Sequence, residues 1–331
     1  MVGRAARRAP GSTPAEGRAE ADVDAELGSN GPDGWRVLLA PAKLTRSLRV
    51  VGRRRDGYHL LEAEMVSISL ADRLLLRPGH GLVVRPADAG VPADATNLVA
   101  RALAAVGREA EVVVQKRIPA GAGLGGGSAD AAAVLRWAGL GGRAVHEPAL
   151  ALAARLGADV PFCLVGGRAL VGGVGEIVEP LPFEDRLFLV LCPPLAVSTP
   201  AVYAAWDDLG GPSGRNGNDL EDAAVAVCPA LETWRALLAE RSGLAPKLAG
   251  SGSSWFVELG RAPRGGEPAG PGVPPGSECT TGTAAPAHWS GTGVGVGDAA
   301  PVDAAPPEEI EGPGGVGRLF AVRTVPASAG W

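Results

Sequence analysis

Between Pro119 and Leu135 the chain reads PAGAGLGGGSADAAAVL, with a β-branched run, EVVVQKRI, before it and helical spacing within its alanine-rich end. No other stretch constrains the fold so tightly, because it demands a strand, a glycine-dense loop and a helix in direct succession. Gly121, Gly123, Gly125, Gly126 and Gly127 lack Cβ atoms, so backbone N–H groups can converge on an anion and positive φ becomes accessible. A helix beginning near Ser128 would aim its positive dipole end and its unpaired N–H groups at the same place. A polyphosphate fits such a cradle; a flexible glycine turn is the plain alternative, and the strand before and helix after argue against it. The loop is not a Walker A motif, since no Gly-Lys-Ser/Thr follows, and it lacks the acid that a dinucleotide fingerprint places about 20 residues downstream. Ser128 reads as the helix N-cap or as a group facing a phosphate oxygen, and Asp130 as a first-turn acid favourable to the dipole.

A chain of 331 residues exceeds what one hydrophobic core usually serves, so two domains are expected. Its 31 basic and 36 acidic residues give a net charge of -5, which excludes the general basic field of a nucleic-acid binder. Cys163, Cys192, Cys228 and Cys279 form no CxxC pair, and His80, His146 and His288 sit in loop-like contexts, so neither zinc site nor disulfide framework is expected. With no apolar run long enough to span a bilayer and no signal-like core behind Arg4, Arg7 and Arg8, a cytoplasmic protein without a membrane partner is expected. Residues 1–34 read as a disordered leader, and 261–315, dense in Gly, Pro, Ala and Thr, as a mobile insertion. RLFAVRTVP then supplies a last strand. WRVLLAPA, LTRSLRVV, MVSISL, EVVVQKRI and LFLVLC read as strands, and NLVARALAAVG, SADAAAVLRWAGL and EPALALAARLG as helices. Their irregular order predicts an α+β class in preference to a doubly wound sheet.

Further segments fall in a telling order: APAKL (40–44), GRRRDGYHLLEAEM (52–65), LGADVPFCLVGGRALVGGVGE (156–176) and AGSGSSWF (249–256), with VSTPAVYAAWD (197–207) and NDLE (218–221) between the last two. The glycine loop resembles the ATP-binding motif of the GHMP kinases, and the ordered set is similar to their diphosphocytidyl-methylerythritol kinase branch. The resemblance implies a two-domain GHMP kinase fold. A domain like the second domain of ribosomal protein S5 would span 35–183, and a ferredoxin-like domain 184–331, with substrate and ATP meeting in the cleft. It also implies transfer of the ATP γ-phosphoryl, with Mg2+, to the 2-hydroxyl of a cytidine diphosphate-linked methylerythritol in the non-mevalonate isoprenoid pathway. A homoserine- or mevalonate-kinase-like activity, or a non-catalytic nucleotide-binding relative, is the competing reading. The sequence specifies neither an oligomeric partner nor a metal ligand.

Carried over residue by residue, the resemblance assigns Pro119, Gly121, Ala122, Gly123, Leu124, Gly125, Gly126, Gly127 and Ser128 to the nucleotide, with Asn97, by chemistry a helix N-cap, close by. Asp159 in GADVPF matches the family's catalytic base, and its own setting, between apolar residues at a helix end before a Pro-Phe turn, fits either a paired structural carboxylate or a functional one. Lys43 in PAKL matches the family lysine that lowers the base's pKa and orients the hydroxyl; otherwise it is a solvated lysine at a strand end. His59 would read the cytosine edge, with Tyr58 and Tyr203 as stacking rings; a loop anchor and a core residue are the plainer roles for the two tyrosines. Gly250, Ser251 and Gly252 would close the phosphate region from the far side, or form an ordinary hairpin turn. Thr45 stands where the family usually has a substrate-contacting asparagine, and its shorter side chain implies a rearranged or water-bridged contact.

Overall fold

The computed structural model describes residues 34–87, 89–141, 145–214, 216–261 and 307–327. The expected leader, up to residue 33, and the greater part of the expected insertion, 262–306, lie outside the described residues.

Two long antiparallel strands, β1 (Arg36–Arg53) and β2 (His59–Arg77), pair along their whole length from Arg36↔Leu76 to Arg53↔His59. The runs WRVLLAPA and LTRSLRVV are therefore one strand and not two. Pro41, which cannot donate to a ladder, is accommodated by a register shift between Pro41 and Lys43, and further shifts follow at Thr45/Ser47 and Val50/Gly52. Lys43 thus lies mid-strand, against the expectation of a strand end. β2 also pairs with β4 (Glu111–Gln115) and β5 (Arg168–Gly173); β3 (Gly81–Arg85) runs parallel to β4, and β6 (Ile177–Pro180) edges β5. Against this sheet lie α1 (Leu98–Ala105), α2 (Gly126–Trp137), α3 (Glu147–Leu156) and α4 (Val160–Val165).

The second sheet has the order β10-β11-β7-β9-β8, with β7 (Arg186–Cys192), β8 (Lys247–Leu248), β9 (Trp255–Arg261), β10 (Glu308–Gly312) and β11 (Gly315–Arg323), all neighbours antiparallel. Helices α5 (Thr199–Asp208), α6 (Glu221–Val227) and α7 (Ala230–Ser242) complete it. Strand β10 occupies residues assigned to the low-complexity insertion: the hairpin holds because Trp234 of α7 packs on Gly312 and Gly317 and donates its indole N–H to Pro313 O at 3.1 Å.

One core lies between the first sheet and its helices, where the small residues Ala129, Ala131, Ala132 and Ala133 let α2 approach Leu74, Val112 and Phe162. A second joins the two sheets: Ala42, Leu44 and Ile68 meet Phe188, Phe256 and Phe320, with Ala122 and Leu124 of the glycine loop packed among them. Each such Leu or Phe contributes roughly 1.5–3 kcal/mol by burial, so the loop is anchored by its apolar residues while its glycines stay free to face a ligand.

Candidate active site

The helix after the glycine loop begins at Gly126, two residues before the expected start, because Gly125 adopts the left-handed region (φ 69°, ψ 26°) and turns the chain directly into the first helical bond, Ala129 N to Gly125 O at 2.8 Å. Ser128 is consequently inside the first turn and not the N-cap. Asp130 is a turn further in, buried and paired with Lys116 at 2.8 Å, so it does not serve as an exposed first-turn acid. Gly126, Gly127 and Ser128 carry N–H groups for which the helix has no acceptor. The loop's carbonyls, by contrast, are occupied: Leu124 O accepts Lys43 N at 3.0 Å and Ala122 O accepts the Ser254 hydroxyl at 2.7 Å.

Lys43 reaches this loop from the register shift in β1. Its Nζ lies 3.5 Å from Asp159 Oδ2, with side chains 8% and 33% exposed, so the amine is buried while the carboxylate partly reaches solvent. A Cβ on Gly125 would fall 2.8 Å from Lys43 Cγ and 3.7 Å from Asp159 Oδ2, which places the pair directly beside the helix start. Asp159 precedes α4, and its carbonyl accepts Cys163 N at 3.0 Å; the expected Pro-Phe turn is instead the first turn of that helix, with Pro161 where its missing N–H costs nothing. Thr45 is 2% exposed and accepts a 3.2 Å hydrogen bond from Lys43 Nζ, so its hydroxyl steadies the amine and is closed off from solvent.

The Gly250–Gly252 stretch crosses over this arrangement. A Cβ on Gly123 would lie 2.3 Å from Gly252 O, so close approach demands glycine there, whereas one on Gly250 would meet Lys43 Nζ at an ordinary 3.7 Å and glycine is favoured by its φ of +66°. Asn218 Nδ2 holds the crossing stretch through Leu248 O (2.9 Å) and Gly250 O (2.7 Å), while the Ser251 and Thr199 hydroxyls meet at 2.8 Å. Gly121 is exposed at the loop's entry after Pro119, at φ 73°. Asn97 caps α1, accepting from Val99 N at 2.8 Å, and Leu98 next to it lies 3.4 Å from the Cβ position of Gly127, so α1 and α2 begin side by side.

His59 opens β2 and stacks on Tyr203 of α5 (centroids 4.8 Å apart, 18° between planes), while Trp206 meets its edge at 5.7 Å. Asp207 fixes the imidazole through Nε2 at 2.9 Å and also contacts Arg53 at 3.3 Å. The Tyr203 hydroxyl is pushed up to about 12 by burial and then by the charge of Asp159. Tyr58 is not brought into the stack: it is 65% exposed in the turn, with Arg54 6.0 Å from its ring centre. Trp206, Asp207 and Asn218 were not singled out from sequence. The signal was present for the first two, since Tyr203, Trp206 and Asp207 share one helix face at i, i+3 and i+4.

Residues 95–167 match the GHMP kinases N terminal domain. The 4-diphosphocytidyl-2-C-methyl-D-erythritol kinase of Cereibacter sphaeroides is 38% identical over 66% of this chain and 87% of its own length. The protein of the same name from Paracoccus denitrificans is 37% identical over 67% and 86%. A crystal structure of 4-(cytidine 5'-diphospho)-2C-methyl-D-erythritol kinase superimposes with a TM-score of 0.54 at 38% identity, covering 67% of this chain and 89% of that one. The chain belongs to the GHMP kinases, in the 4-diphosphocytidyl-2-C-methyl-D-erythritol kinase family. In this kinase the two elements that carry Lys43 and Asp159 are braced from behind by Arg136 of α2, whose guanidinium donates to Cys163 O at 2.5 Å and to Leu39 O at 3.4 Å. Burial lowers the Arg136 pKa to about 10, which leaves it charged at neutral pH. No helix among the described residues is long and apolar enough to cross a membrane.

Proposed function

We propose that this kinase transfers the γ-phosphoryl group of ATP to the 2-hydroxyl of 4-diphosphocytidyl-2-C-methyl-D-erythritol. The carrying observation is the Lys43–Asp159 contact of 3.5 Å beside Gly125, at the start of α2. Phosphoryl transfer needs a polyanion held still, an in-line hydroxyl, a group to take its proton, and positive charge near the transferring oxygens. The loop from Pro119 to Ser128 would hold the phosphates through the free N–H groups of Gly126, Gly127 and Ser128, with Asn97 and α1 alongside. Asp159 would accept the hydroxyl proton; Lys43, held by Thr45, would fix that carboxylate in place and direct it at the hydroxyl. His59, Tyr203, Trp206 and Asp207 form a rigid aromatic platform with a polar edge suited to a cytosine, and Gly250, Ser251 and Gly252 would cover the phosphates.

Among the described residues no group of three His, Cys, Asp or Glu side chains could cage a metal. That fits Mg2+ brought in on the nucleotide, where phosphate oxygens and waters complete its shell; when bound it would neutralise phosphate charge.

Mass spectrometry after incubation with Mg2+, ATP and the cytidylyl substrate should show one added phosphoryl group, with homoserine and mevalonate unmodified. Phosphorylation of either alternative at a comparable rate would overturn the substrate assignment. Lys43→Ala and Asp159→Asn should each lower kcat by about 10²–10⁴-fold with little change in KM for ATP. Unchanged turnover in either variant removes that residue from the mechanism.

A further inference from the structure

Beneath the start of α2 lies a buried cluster that the transfer reaction does not use. Lys116, just past β4, reaches Asp72 of β2 at 2.5 Å and Asp130 of α2 at 2.8 Å, all three side chains being 5% exposed or less. Asp72 is held at both oxygens, since the one that does not take Lys116 accepts the backbone N–H groups of Arg117 (2.6 Å) and Ile118 (2.9 Å). Asp130 is not: its Oδ1 is buried with no hydrogen-bond partner. The cluster lies directly under the phosphate cradle, for a Cβ on Gly126 would fall 3.1 Å from Lys116 Nζ.

Two carboxylates around one ammonium leave a net negative charge if both are ionised, and that charge would sit below N–H groups meant for a polyanion. Burial opposes ionisation of Asp130, and so does the charge of Asp72, with which it is also hydrogen-bonded. Together they push Asp130 up to about 7. Lys116 is held in its charged form: burial works against it, and the charges of Asp130 and Asp72 more than offset that. Cys163, from α4, also faces Asp130, but burial raises its thiol to about 12, so it brings no charge.

We infer that Asp130 is a positioning residue for the glycine loop that works in its protonated form, completing a neutral Lys116–Asp72–Asp130 cluster, so that binding of nucleotide phosphates above Gly126 takes up a proton at Asp130. This rests on the reading of the loop as the phosphate site. The proton comes from solvent, bonds to Asp130 and bridges to Asp72; no other bond changes. An ionised Asp130 would repel the phosphates through the helix start, and the protonated acid removes that repulsion while keeping Asp72 and Lys116 in place.

The test is calorimetric titration of the whole protein with Mg2+ and ADP in buffers of different ionisation enthalpy, from pH 6.5 to 8.5. Wild-type protein should show net proton uptake, and its affinity should fall above about pH 7 by at most about tenfold per pH unit, the limit for one linked proton. Asp130→Asn, neutral at every pH and still able to donate to Asp72, should bind ADP with the low-pH affinity of wild type throughout and without that uptake. Infrared spectra of the unliganded wild type near pH 6 should contain a protonated-carboxyl stretch that Asp130→Asn lacks. Should that variant fail to fold, Asp72→Asn decides: Asp130 then faces the ammonium alone, ionises, and the uptake disappears. ADP bound by wild type with no uptake beyond that of the variant overturns the linkage alone. ADP not bound at all overturns the phosphate-site reading and the linkage with it.

Discussion

Replacing Gly125 by alanine would separate catalytic geometry from stability in this kinase. The position has φ +69°, and a left-handed alanine costs about 1–2 kcal/mol, which at ~2–4 °C per kcal/mol lowers Tm by roughly 2–8 °C. The larger effect is steric. The new Cβ would stand 2.8 Å from Lys43 Cγ, where carbon atoms prefer about 3.5–4.0 Å, so the lysine stem must retreat by about 1 Å. Its backbone cannot follow, being bonded to Leu124 O and paired with Ser67 of β2, so the displacement passes to the amine. A misplacement of that size costs about 10²-fold in turnover. Gly107→Ala supplies the control, because Gly107 has φ +61° and nothing within 4 Å of its Cβ position, so it bears the conformational cost alone. Steady-state ADP release and thermal denaturation should show similar Tm losses for the two variants but a collapse of kcat only for Gly125→Ala. A Gly125→Ala enzyme with kcat within about threefold of the control would refute the reasoning, since the stem would then have moved without disturbing the amine.

Asp207→Ala, which frees the imidazole of His59, should raise KM for the cytidylyl substrate about tenfold while KM for ATP and kcat stay near wild type; a change confined to ATP would place the aromatic platform elsewhere. Stability should also depend on pH through Asp130. A carboxyl raised to about 7 in the fold contributes stability that is complete below its unfolded value near pH 4 and is lost as pH rises through about 7, so Tm should decline between about pH 4 and 7 and level off above. Asp130→Asn should flatten that decline, and an equal decline in the variant would assign it to other groups.

The strand-loop-helix succession, the α+β class and the family were all legible in the chain, because each rests on local pattern: β-branched runs, glycine where side chains are excluded, and motifs in a set order. Less was legible at element edges. The start of α2 slipped two residues because the left-handed turn at Gly125 needs no side-chain cap, and WRVLLAPAKLTRSLRVV hid one strand because a register shift absorbs Pro41. Asp130 looked like a dipole-friendly acid because its i to i+4 position says nothing about Lys116 and Asp72, which reach it from other elements.

By itself, then, the sequence determined which residues could bind phosphate, abstract a proton or stack on a base, since those capacities belong to side-chain chemistry and short-range geometry. Only the tertiary structure decided which of them meet. Lys43 meets Asp159 across 116 positions of chain, Thr45 turns to the amine, Asp207 locks His59 while Tyr58 stays in solvent, and Gly252 closes on Gly123. Such contacts are set by how two sheets pack through a shared apolar core, and that packing is a property of the whole chain and not of any segment within it.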